Sequence, residues 1–352
     1  MKNLLCLVLL LAPLAGAQPK KVVILGMSEA GVADLQKAAP EMRLVRVAGP
    51  GTAMDVVAIR AESPQDAERR RALLREVADA DAIIGGPSED VVKAATKLKW
   101  VQVLSAGVEE YLYPAMVESD IVLTNGKTLS SPGIADHGFA MLLALTRKLT
   151  HFIPEQRRET WVREDYDLLE LQGGTALVIG TGGIGSAVAE RAKAFGMRVI
   201  GIDPQEFPPR PAFDEMYFPD RLDEMLPRAD AVFLCAPHTR ESERMLGARQ
   251  FELMKPGSFF IGLSRGKVYD LNALVQALDS KRLAGAGVDV TDPEPLPKGH
   301  ALWRFDNVVI TPHIATQCQG GSQRRMALLR DNLRRFARGE RLRNVVDKRK
   351  GY

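Results

Sequence analysis

The glycine-rich turn GTGGIG, at residues 180–185, is the feature that most constrains the fold of this chain. It follows the apolar run TALVI and precedes the helix-like segment SAVAERAKAFG, after which a second apolar run, RVIGID, begins. Parallel neighbouring strands need a crossover of this length between them, and a helix is the usual crossover. The sequence therefore predicts a strand–turn–helix–strand unit at this point.

The glycines of this turn have separate predicted roles in holding a dinucleotide. Gly180 permits the tight turn, Gly182 lets the backbone approach a pyrophosphate, and Gly185 allows the helix to pack closely on the strand. The amides near Gly183 and Ile184 would face the phosphates, because the start of a helix favours negative charge. We therefore predict a dinucleotide site.

The choice of dinucleotide depends on Asp203, which ends the run RVIGID. A carboxylate there can accept both hydroxyls of the adenosine ribose and repels a 2′-phosphate, so NAD is predicted over NADP. Arg210 is near enough in sequence to keep NADP as an alternative. Asp203 could also simply cap a loop before Pro204.

Short apolar runs alternate with helix-like segments in two blocks. The first block contains KVVILGM, LVRVA, DVVAI, ADAIIGG, WVQVLS and IVLTN, of which DVVAI could be an edge or loop segment. The second contains TALVIG, RVIGID, AVFLCA, SFFIGLS, AGAGVDV and NVVITP. This alternation predicts parallel sheets covered by helices, in a chain whose length suits about two α/β domains.

Helix signals complete the predicted organisation. Pro64 and Ser88 open helices in the first block, and a long helix is predicted from Pro132 to about residue 150. The last helix, near residues 322–338, is too isolated to form a domain and should pack on the first block. The predicted domains are a dinucleotide-binding domain and a discontinuous substrate domain, at residues 127–312 and at residues 20–126 with 313–352.

Three residues at the ends of apolar runs point to chemistry: Arg265 in SRGKVYD, Glu294 in DVTDPEPLP and His313 in ITPHIAT. A guanidinium binds an anionic substrate through its planar fork. An imidazole can move the proton that balances a hydride, and a carboxylate can orient that imidazole. Each residue alone is more often structural, but their order after a dinucleotide turn predicts hydride transfer.

These motifs, with APHT at residues 236–239, resemble the D-isomer-specific 2-hydroxyacid dehydrogenase family. The stretch GHALWRFDNVVITPH and the GY ending resemble its glyoxylate/hydroxypyruvate reductase-like branch. The resemblance implies two doubly wound parallel-sheet α/β domains, a Rossmann NAD domain inserted into a flavodoxin-like substrate domain. It also implies an enzyme that interconverts a small 2-keto acid and 2-hydroxy acid, and a homodimer.

The resemblance carries roles onto matching residues. His313 would exchange a proton with the substrate, Glu294 would bond the far ring nitrogen of His313, and Arg265 would pair with the substrate carboxylate. The other side of that carboxylate would meet the backbone amides of the SAGVEEY loop: Ala106, Gly107 and Val108. Further cofactor contacts are implied for Ala236, Pro237 and Asp289, the last of them with the nicotinamide carboxamide.

The first 17 residues are predicted to be a secretory signal peptide. Lys2 supplies a positive start, residues 4–14 are apolar, and residues 15–17 form a small-residue cleavage site. The apolar stretch is too short for an ordinary membrane span, so no membrane association is expected after cleavage. The alternative, a misassigned start and a cytoplasmic protein, would delete the first apolar run if the chain began at Met27.

Charge and cysteine usage argue against other classes of function. The 47 basic and 44 acidic residues nearly balance, so charge gives no reason to expect a nucleic-acid partner. No CxxC motif or metal-spaced His/Cys cluster occurs, and no metal is predicted. The alternative to an enzyme is an NAD(H)-responsive binding or regulatory protein, although such a protein has no need of a proton relay.

Overall fold

The computed structural model describes residues 18–47, 64–205 and 211–352, which divide into two compact units. Unit 1 contains the described residues up to Val103, together with Tyr113–Thr124 and Leu329–Arg343. Unit 2 contains Leu104–Leu112, Asn125–Leu328 and Asn344–Tyr352. The predicted signal peptide, the run DVVAI and Arg210 lie outside the described residues.

Unit 1 is built on a sheet of five parallel strands in the order β2-β1-β3-β4-β5. This is the flavodoxin-like strand order. All residues of β1 and β3 are buried, as expected for central parallel strands covered on both faces. The strands are β1 (Lys21–Leu25), β2 (Arg43–Val47), β3 (Ala82–Ile84), β4 (Trp100–Gln102) and β5 (Val122–Thr124).

The helices of unit 1 begin where the sequence signals them. Helix α2 starts at Pro64, and α3 follows Ser88, whose hydroxyl bonds the Asp90 carboxylate at 2.7 Å and not the backbone. The helices are α1 (Glu29–Ala38), α2 (Pro64–Val77), α3 (Glu89–Ala94), α4 (Pro114–Val117) and the second half of a long C-terminal helix, numbered α11 below.

The C-terminal helix packs on this sheet through its second half. Asn332 is fully buried and its amide donates to the Gln102 side chain at 2.8 Å. The Phe336 ring lies 5.1 Å from the Trp100 ring. A buried amide needs such a partner, because an unpaired one costs free energy in an apolar core.

Unit 2 is built on a sheet of seven parallel strands in the order β12-β11-β10-β9-β6-β7-β8. The direction of strand order reverses between β6 and β9, and ligands of such sheets bind beyond the carboxyl ends of the strands at that point. The strands are β6 (Thr175–Ile179), β7 (Arg198–Ile202), β8 (Glu215–Tyr217), β9 (Ala231–Leu234), β10 (Ser258–Gly262), β11 (Leu283–Val288) and β12 (Val308–Ile310). The α/β fold class and the two parallel sheets predicted from the alternation are confirmed.

The predicted helix from Pro132 to residue 150 is wrong in its length. Lys148 adopts a left-handed backbone conformation, with φ of 53°, which a helix cannot continue. The chain therefore forms two helices where one was predicted. The helices of unit 2 are α5 (Ser131–Thr146), α6 (Leu149–Arg157), α7 (Gly183–Ala194), α8 (Leu222–Met225), α9 (Ala248–Leu253), α10 (Leu271–Asp279) and the first half of α11 (Gln319–Arg338).

The unit boundaries differ from the predicted domains in four segments, residues 104–112, 125–126, 313–328 and 344–352, which all belong to unit 2. Backbone bonds explain the difference. The Gly126 amide donates to the Ser105 carbonyl at 2.7 Å, and the Asn125 amide donates to the Asn344 carbonyl at 3.1 Å. Boundaries placed at the ends of apolar runs miss such bonds, because they join residues far apart in the chain.

The core of unit 2 is mainly apolar. Phe139 of α5 stacks on Phe233 of β9, with ring centroids 5.2 Å apart. Cys235 is buried and free, and burial raises the pKa of its thiol, which suits a small hydrophobic residue and not a nucleophile. Across the described ranges, every helix falls short of the length and apolarity that a membrane span needs.

The edge strand β8 is held by an ion-pair cluster around Glu215. Its carboxylate accepts bonds from Arg228 at 2.6 Å and Arg198 at 2.7 Å, and from the Tyr217 hydroxyl. The Arg228 bond, the Tyr217 bond and the Arg198 bond lower the pKa of Glu215 to about 2. The charged form is thus favoured by folding, so this contribution is present above the ordinary glutamate pKa and is lost as the pH falls toward 2.

We expect Glu215→Gln to lower the free energy of unfolding by about 1 kcal/mol at pH 7, since part of the shift is screened at a surface site. The difference from the unmodified protein should shrink by more than half at about pH 3, where the unfolded glutamate is already protonated. Urea unfolding at both pH values measures this. The exposed Glu252→Gln is the control, and an equal, pH-independent loss in both variants would contradict the assignment.

Candidate functional site

The glycine turn joins β6 to α7 in a conformation that only glycine fits. Gly180 has φ of 87°, and a Cβ there would lie 2.5 Å from backbone atoms of Ala236. A Cβ at Gly185 would overlap the Gly180 carbonyl oxygen. Tight turning and close helix–strand contact, the two roles predicted for these glycines, are therefore both imposed by the backbone.

Gly182 has a different environment. It is the N-cap of α7, and a Cβ added to it would meet no atom within 4 Å. The amides of Gly183 and Ile184 open the helix beside this open space. Backbone donors at a helix start next to a surface cleared of side chains suit the pyrophosphate of a dinucleotide.

Asp203 is 9% exposed and directly follows β7. One carboxylate oxygen accepts from the Thr181 amide at 2.8 Å and the Thr181 hydroxyl at 3.1 Å, and the other accepts from the Gln205 amide at 3.0 Å. Asp203 thus fixes the glycine turn and caps its own loop. The oxygen that accepts from Gln205, Oδ1, keeps a second lone pair, so these bonds are compatible with a predicted contact between Oδ1 and a ribose.

Two polar atoms at the carboxyl edge of the sheet are buried without hydrogen-bond partners in the described part of the chain. They are His238 Nε2, just beyond β9, and Ser264 Oγ, just beyond β10. Ala236 and Pro237 lie in the same segment after β9. His238 Nε2 does lie 3.9 Å from Glu243 Oε2, an ion-pair contact that is too long for a hydrogen bond. Buried polar atoms normally form hydrogen bonds, so atoms at this edge that form none fit a site completed by a ligand. The residues present therefore fit a dinucleotide.

Asp289, which follows β11, is 2% exposed and organises the loop that carries His313. One carboxylate oxygen accepts from the Thr311 hydroxyl at 2.6 Å and the Ile314 amide at 3.0 Å, and the other accepts from the Ala315 amide at 3.0 Å. Its backbone carbonyl accepts from the His313 amide at 2.8 Å. The residue expected to touch the cofactor therefore also holds the histidine loop in place.

His313 and Glu294 form a close pair. The imidazole Nδ1 lies 2.9 Å from Glu294 Oε2, while Glu294 Oε1 accepts from the Thr291 amide at 3.0 Å. The His313 side chain is 38% exposed, and its Nε2 makes no hydrogen bond to any described residue. A carboxylate held on both sides fixes the ring so that Nε2 is the nitrogen open to a proton exchange.

Arg265 follows β10 and faces the loop at residues 104–112. Its Nη1 donates to the Ser264 carbonyl at 2.9 Å, and a Cβ at Gly107 would overlap its Nη2. Within the described ranges, three backbone amides of this loop donate to no acceptor: Ala106, Gly107 and Val108. Successive free amides beside a guanidinium form a concavity suited to a carboxylate.

The catalytic trio predicted from sequence lies along one edge of the sheet. Strands β10, β11 and β12 are parallel neighbours, and Arg265, Glu294 and His313 all follow their carboxyl ends. In the described residues, no group of three or more His, Cys, Asp and Glu side chains could hold a metal ion. The arrangement offers a guanidinium that can bind an anion and an imidazole that can carry a proton, on the sheet that also carries the glycine turn.

Three further residues lie at the site without a signal in the sequence: Glu109, His137 and Thr311. Glu109 pairs with Arg265, from Oε1 to Nε, at 3.2 Å. His137 Nε2 lies 2.8 Å from the Thr311 hydroxyl, which itself donates to Asp289. These partners are 156 and 174 positions apart in the chain, and no motif in the sequence joins them.

Comparisons with known proteins agree with this geometry. The family model "D-isomer specific 2-hydroxyacid dehydrogenase, NAD binding domain" matches residues 139–315. A glyoxylate reductase of Korarchaeum cryptofilum is 32% identical over 289 residues, covering 79% of this chain and 86% of the relative. A D-3-phosphoglycerate dehydrogenase of Methanocaldococcus jannaschii is 32% identical over 281 residues, or 78% of this chain. The chain spans about half the length of that relative, 53%.

Solved structures show the same fold. A D-lactate dehydrogenase with NAD+ from Lactobacillus jensenii superposes with a TM-score of 0.73 at 25% identity, covering 93% of this chain and 99% of the other. A D-isomer specific 2-hydroxyacid dehydrogenase from Xanthobacter autotrophicus, in complex with NADPH, gives a TM-score of 0.76 at 24% identity, covering 96% and 100%. Both forms of the nicotinamide cofactor thus occur among the structural neighbours.

Proposed function

Because the chain belongs to the D-isomer-specific 2-hydroxyacid dehydrogenase family, we propose that it reduces a small 2-keto acid of the glyoxylate or hydroxypyruvate type with NADH. Membership makes it an NAD(P)-linked oxidoreductase of hydroxy acids. The observation that carries the finer proposal is the His313–Glu294 pair, 2.9 Å apart, on the same sheet edge as Arg265. An anion grip and a proton carrier are what reduction of a keto acid requires.

His313 is proposed to protonate the substrate carbonyl oxygen from Nε2 as the bound cofactor supplies the hydride. Glu294 holds Nδ1 and stabilises the positive charge that the ring carries before the proton leaves. Asp289 keeps the histidine in position through the bonds of its loop. In the reverse direction Nε2 accepts the proton from the hydroxyl group.

The substrate carboxylate is proposed to bind between Arg265 Nη2 and the free amides of residues 106–108. Charged donors and backbone amides bind a carboxylate strongly because each bond is charge-assisted. Gly107 leaves room for this approach, since even a methyl group there would overlap the guanidinium. The carboxylate would thereby orient the keto carbon toward the cofactor.

The cofactor is proposed to lie with its pyrophosphate at the start of α7, near Gly182, Gly183 and Ile184. Ala236, Pro237 and Asp289 would contact it farther along the same sheet edge. Asp203 would bind the adenosine ribose, which favours NAD because its carboxylate repels a 2′-phosphate.

We expect Asp203→Asn to lower the preference for NADH over NADPH at least about tenfold, because the amide keeps the shape but removes the repelling charge. The ratio of kcat/KM for the two cofactors, at a fixed saturating keto acid, measures this. A preference for NADPH in the unmodified protein would overturn the choice of NAD.

The proposed activity is tested with the chain from Gln18 onward, NADH or NADPH, and a panel of 2-keto acids. Oxidation of NADH by glyoxylate or hydroxypyruvate is the expected result. NADH binding without turnover of any keto acid would instead favour the binding or regulatory protein.

A homodimer is also proposed, on the basis of large apolar side chains exposed on unit 2. Trp161 is 94% exposed, and Leu149, Ile153 and Phe195 are each more than 40% exposed. Leu149 and Ile153 lie one turn apart on α6, and neighbouring exposed apolar groups are typical of a surface that a partner covers. Sedimentation analysis should give the mass of two chains, and a monomer at micromolar concentration would contradict the proposal.

Export is proposed from the pattern of the first 17 residues, with a small-molecule keto acid as substrate and neither nucleic acid nor membrane as partner. Amino-terminal sequencing of protein recovered from its own cells should begin at Gln18. A chain that retains residues 1–17 would favour the cytoplasmic alternative.

A further inference from the structure

Glu109 is paired with the Arg265 guanidinium, which the proposed reaction needs for binding its substrate. It opens a short 3₁₀ turn, Glu109–Tyr111, directly after the three free amides, and its Oε1 lies 3.2 Å from Arg265 Nε. The two side chains are 41% and 35% exposed. A carboxylate of the protein itself is therefore bound to Arg265, at the place where a substrate carboxylate is expected.

The remaining donors of Arg265 show what a substrate meets. Nη1 is committed to the Ser264 carbonyl, and Nη2 lies against Gly107. The edge of the guanidinium that carries Nε and Nη2 is thus the one beside the free amides. A carboxylate that binds this edge through two bonds must displace Glu109 from Nε, and one that binds through Nη2 alone must share the guanidinium with it.

The loop at residues 104–112 supplies no positive charge that would offset the negative charge of Glu109. Residues 104–112 contain two carboxylates, Glu109 and Glu110, and no lysine or arginine. Glu109 stays next to the substrate whether it is displaced from Arg265 or shares it, because the adjoining backbone is held in place. The Ser105 hydroxyl donates to the Gly107 carbonyl, and the Tyr111 amide donates to the Val108 carbonyl. Each further negative charge on the substrate is repelled by Glu109.

We propose that Glu109 is a specificity-determining residue that competes with the substrate for Arg265 and excludes 2-keto acids carrying a second anionic group. This inference rests on the proposed function and narrows its substrate class to monoanions whose remaining groups are neutral. A hydroxyl group on such a substrate can donate to Glu109, whereas a phosphate or a second carboxylate cannot.

The test compares hydroxypyruvate with 3-phosphohydroxypyruvate, which share a carbon skeleton and differ in charge. Three proteins are assayed at one ionic strength: the unmodified chain, Glu109→Gln and Glu110→Gln. Glu110→Gln is the control, because it removes the same charge from the neighbouring position and the Glu110 side chain is not bonded to Arg265. We expect the unmodified chain to favour hydroxypyruvate at least about 100-fold in kcat/KM, a difference that higher salt reduces.

In Glu109→Gln, kcat/KM for the phosphorylated acid should rise at least about tenfold. The KM for hydroxypyruvate should fall a few-fold at nearly constant kcat, because a competitor for the arginine is gone and the proton relay is untouched. Glu110→Gln should leave kcat/KM for the phosphorylated acid and KM for hydroxypyruvate within about twofold of their values in the unmodified chain. Unchanged discrimination in Glu109→Gln, or an equal change in both variants, overturns the proposal.

Binding of two inhibitors separates this inference from the proposed function, since it needs no turnover. Oxamate and oxalate have nearly the same shape and carry one and two negative charges. Calorimetric titration of each into the NADH-saturated protein should show oxamate preferred, with a preference that falls at least about tenfold in Glu109→Gln and persists in Glu110→Gln. If no keto acid is turned over, the proposed function fails, and this titration still decides the role of Glu109.

Discussion

His313→Asn should lower kcat by about 10³-fold while the dissociation constant for NADH stays within about twofold. The imidazole is the group whose Nε2 is open to proton exchange, and an amide cannot donate a proton to a keto oxygen at neutral pH. The residues proposed to bind the pyrophosphate of NADH, at the start of α7, do not include His313. Stopped-flow turnover of glyoxylate and fluorescence titration of NADH measure the two effects separately.

Asparagine is the suitable replacement because His313 has φ of 53°, in the left-handed region. Asparagine tolerates this conformation better than alanine, so the loop held by Asp289 should keep its shape. His151→Asn is the matched control, as its ring contacts only Phe152 and Tyr166 among the aromatic residues near it. Turnover that survives in His313→Asn would rule out the imidazole as the proton donor.

Arg265→Lys should lower kcat/KM for the keto acid by about 10²-fold, mainly through KM. Lysine keeps the positive charge but loses the planar fork, so it cannot bond both the Ser264 carbonyl and a carboxylate in the observed geometry. The affinity for NADH should change little, because Arg265 is not among the residues proposed to hold the cofactor. Steady-state kinetics with NADH saturating gives kcat and KM separately.

Arg249→Lys provides the control for this substitution, since Arg249 pairs with Asp223 at the surface, 77% exposed. It should leave kcat/KM unchanged within about twofold. If Arg265→Lys also left kcat/KM unchanged, positive charge alone would suffice at that position, and the carboxylate site would have to be placed elsewhere.

The sheets were predictable because parallel strands buried on both faces read as continuous apolar runs. The edge strand β8 was not, since Glu215, Met216 and Tyr217 form no such run. The break between α5 and α6 was also missed. Apolar residues continue through the break at helical spacing, and nothing in the local sequence forces Lys148 into a left-handed conformation.

At the proposed site, the position of Arg265, Glu294 and His313 on one edge of the sheet was predictable, because each follows an apolar run and the carboxyl ends of parallel strands share one edge. The pairing of Glu109 was not predictable, since Glu109 and Arg265 are 156 positions apart and no motif links them. The pairing depends on where the loop that carries Glu109 packs. The same holds for the bonds that link His137, Thr311 and Asp289.

The sequence by itself determined the class of fold, most of the alternating strands and helices, the glycine turn that suits a dinucleotide, and which three side chains are proposed to react. These follow from local rules, because periodicity, turn chemistry and side-chain type act within a few residues. The tertiary structure alone decided which groups hold the histidine loop and which carboxylate pairs with Arg265. Those contacts join residues more than a hundred positions apart, and only the packing of the sheet brings their atoms within bonding distance.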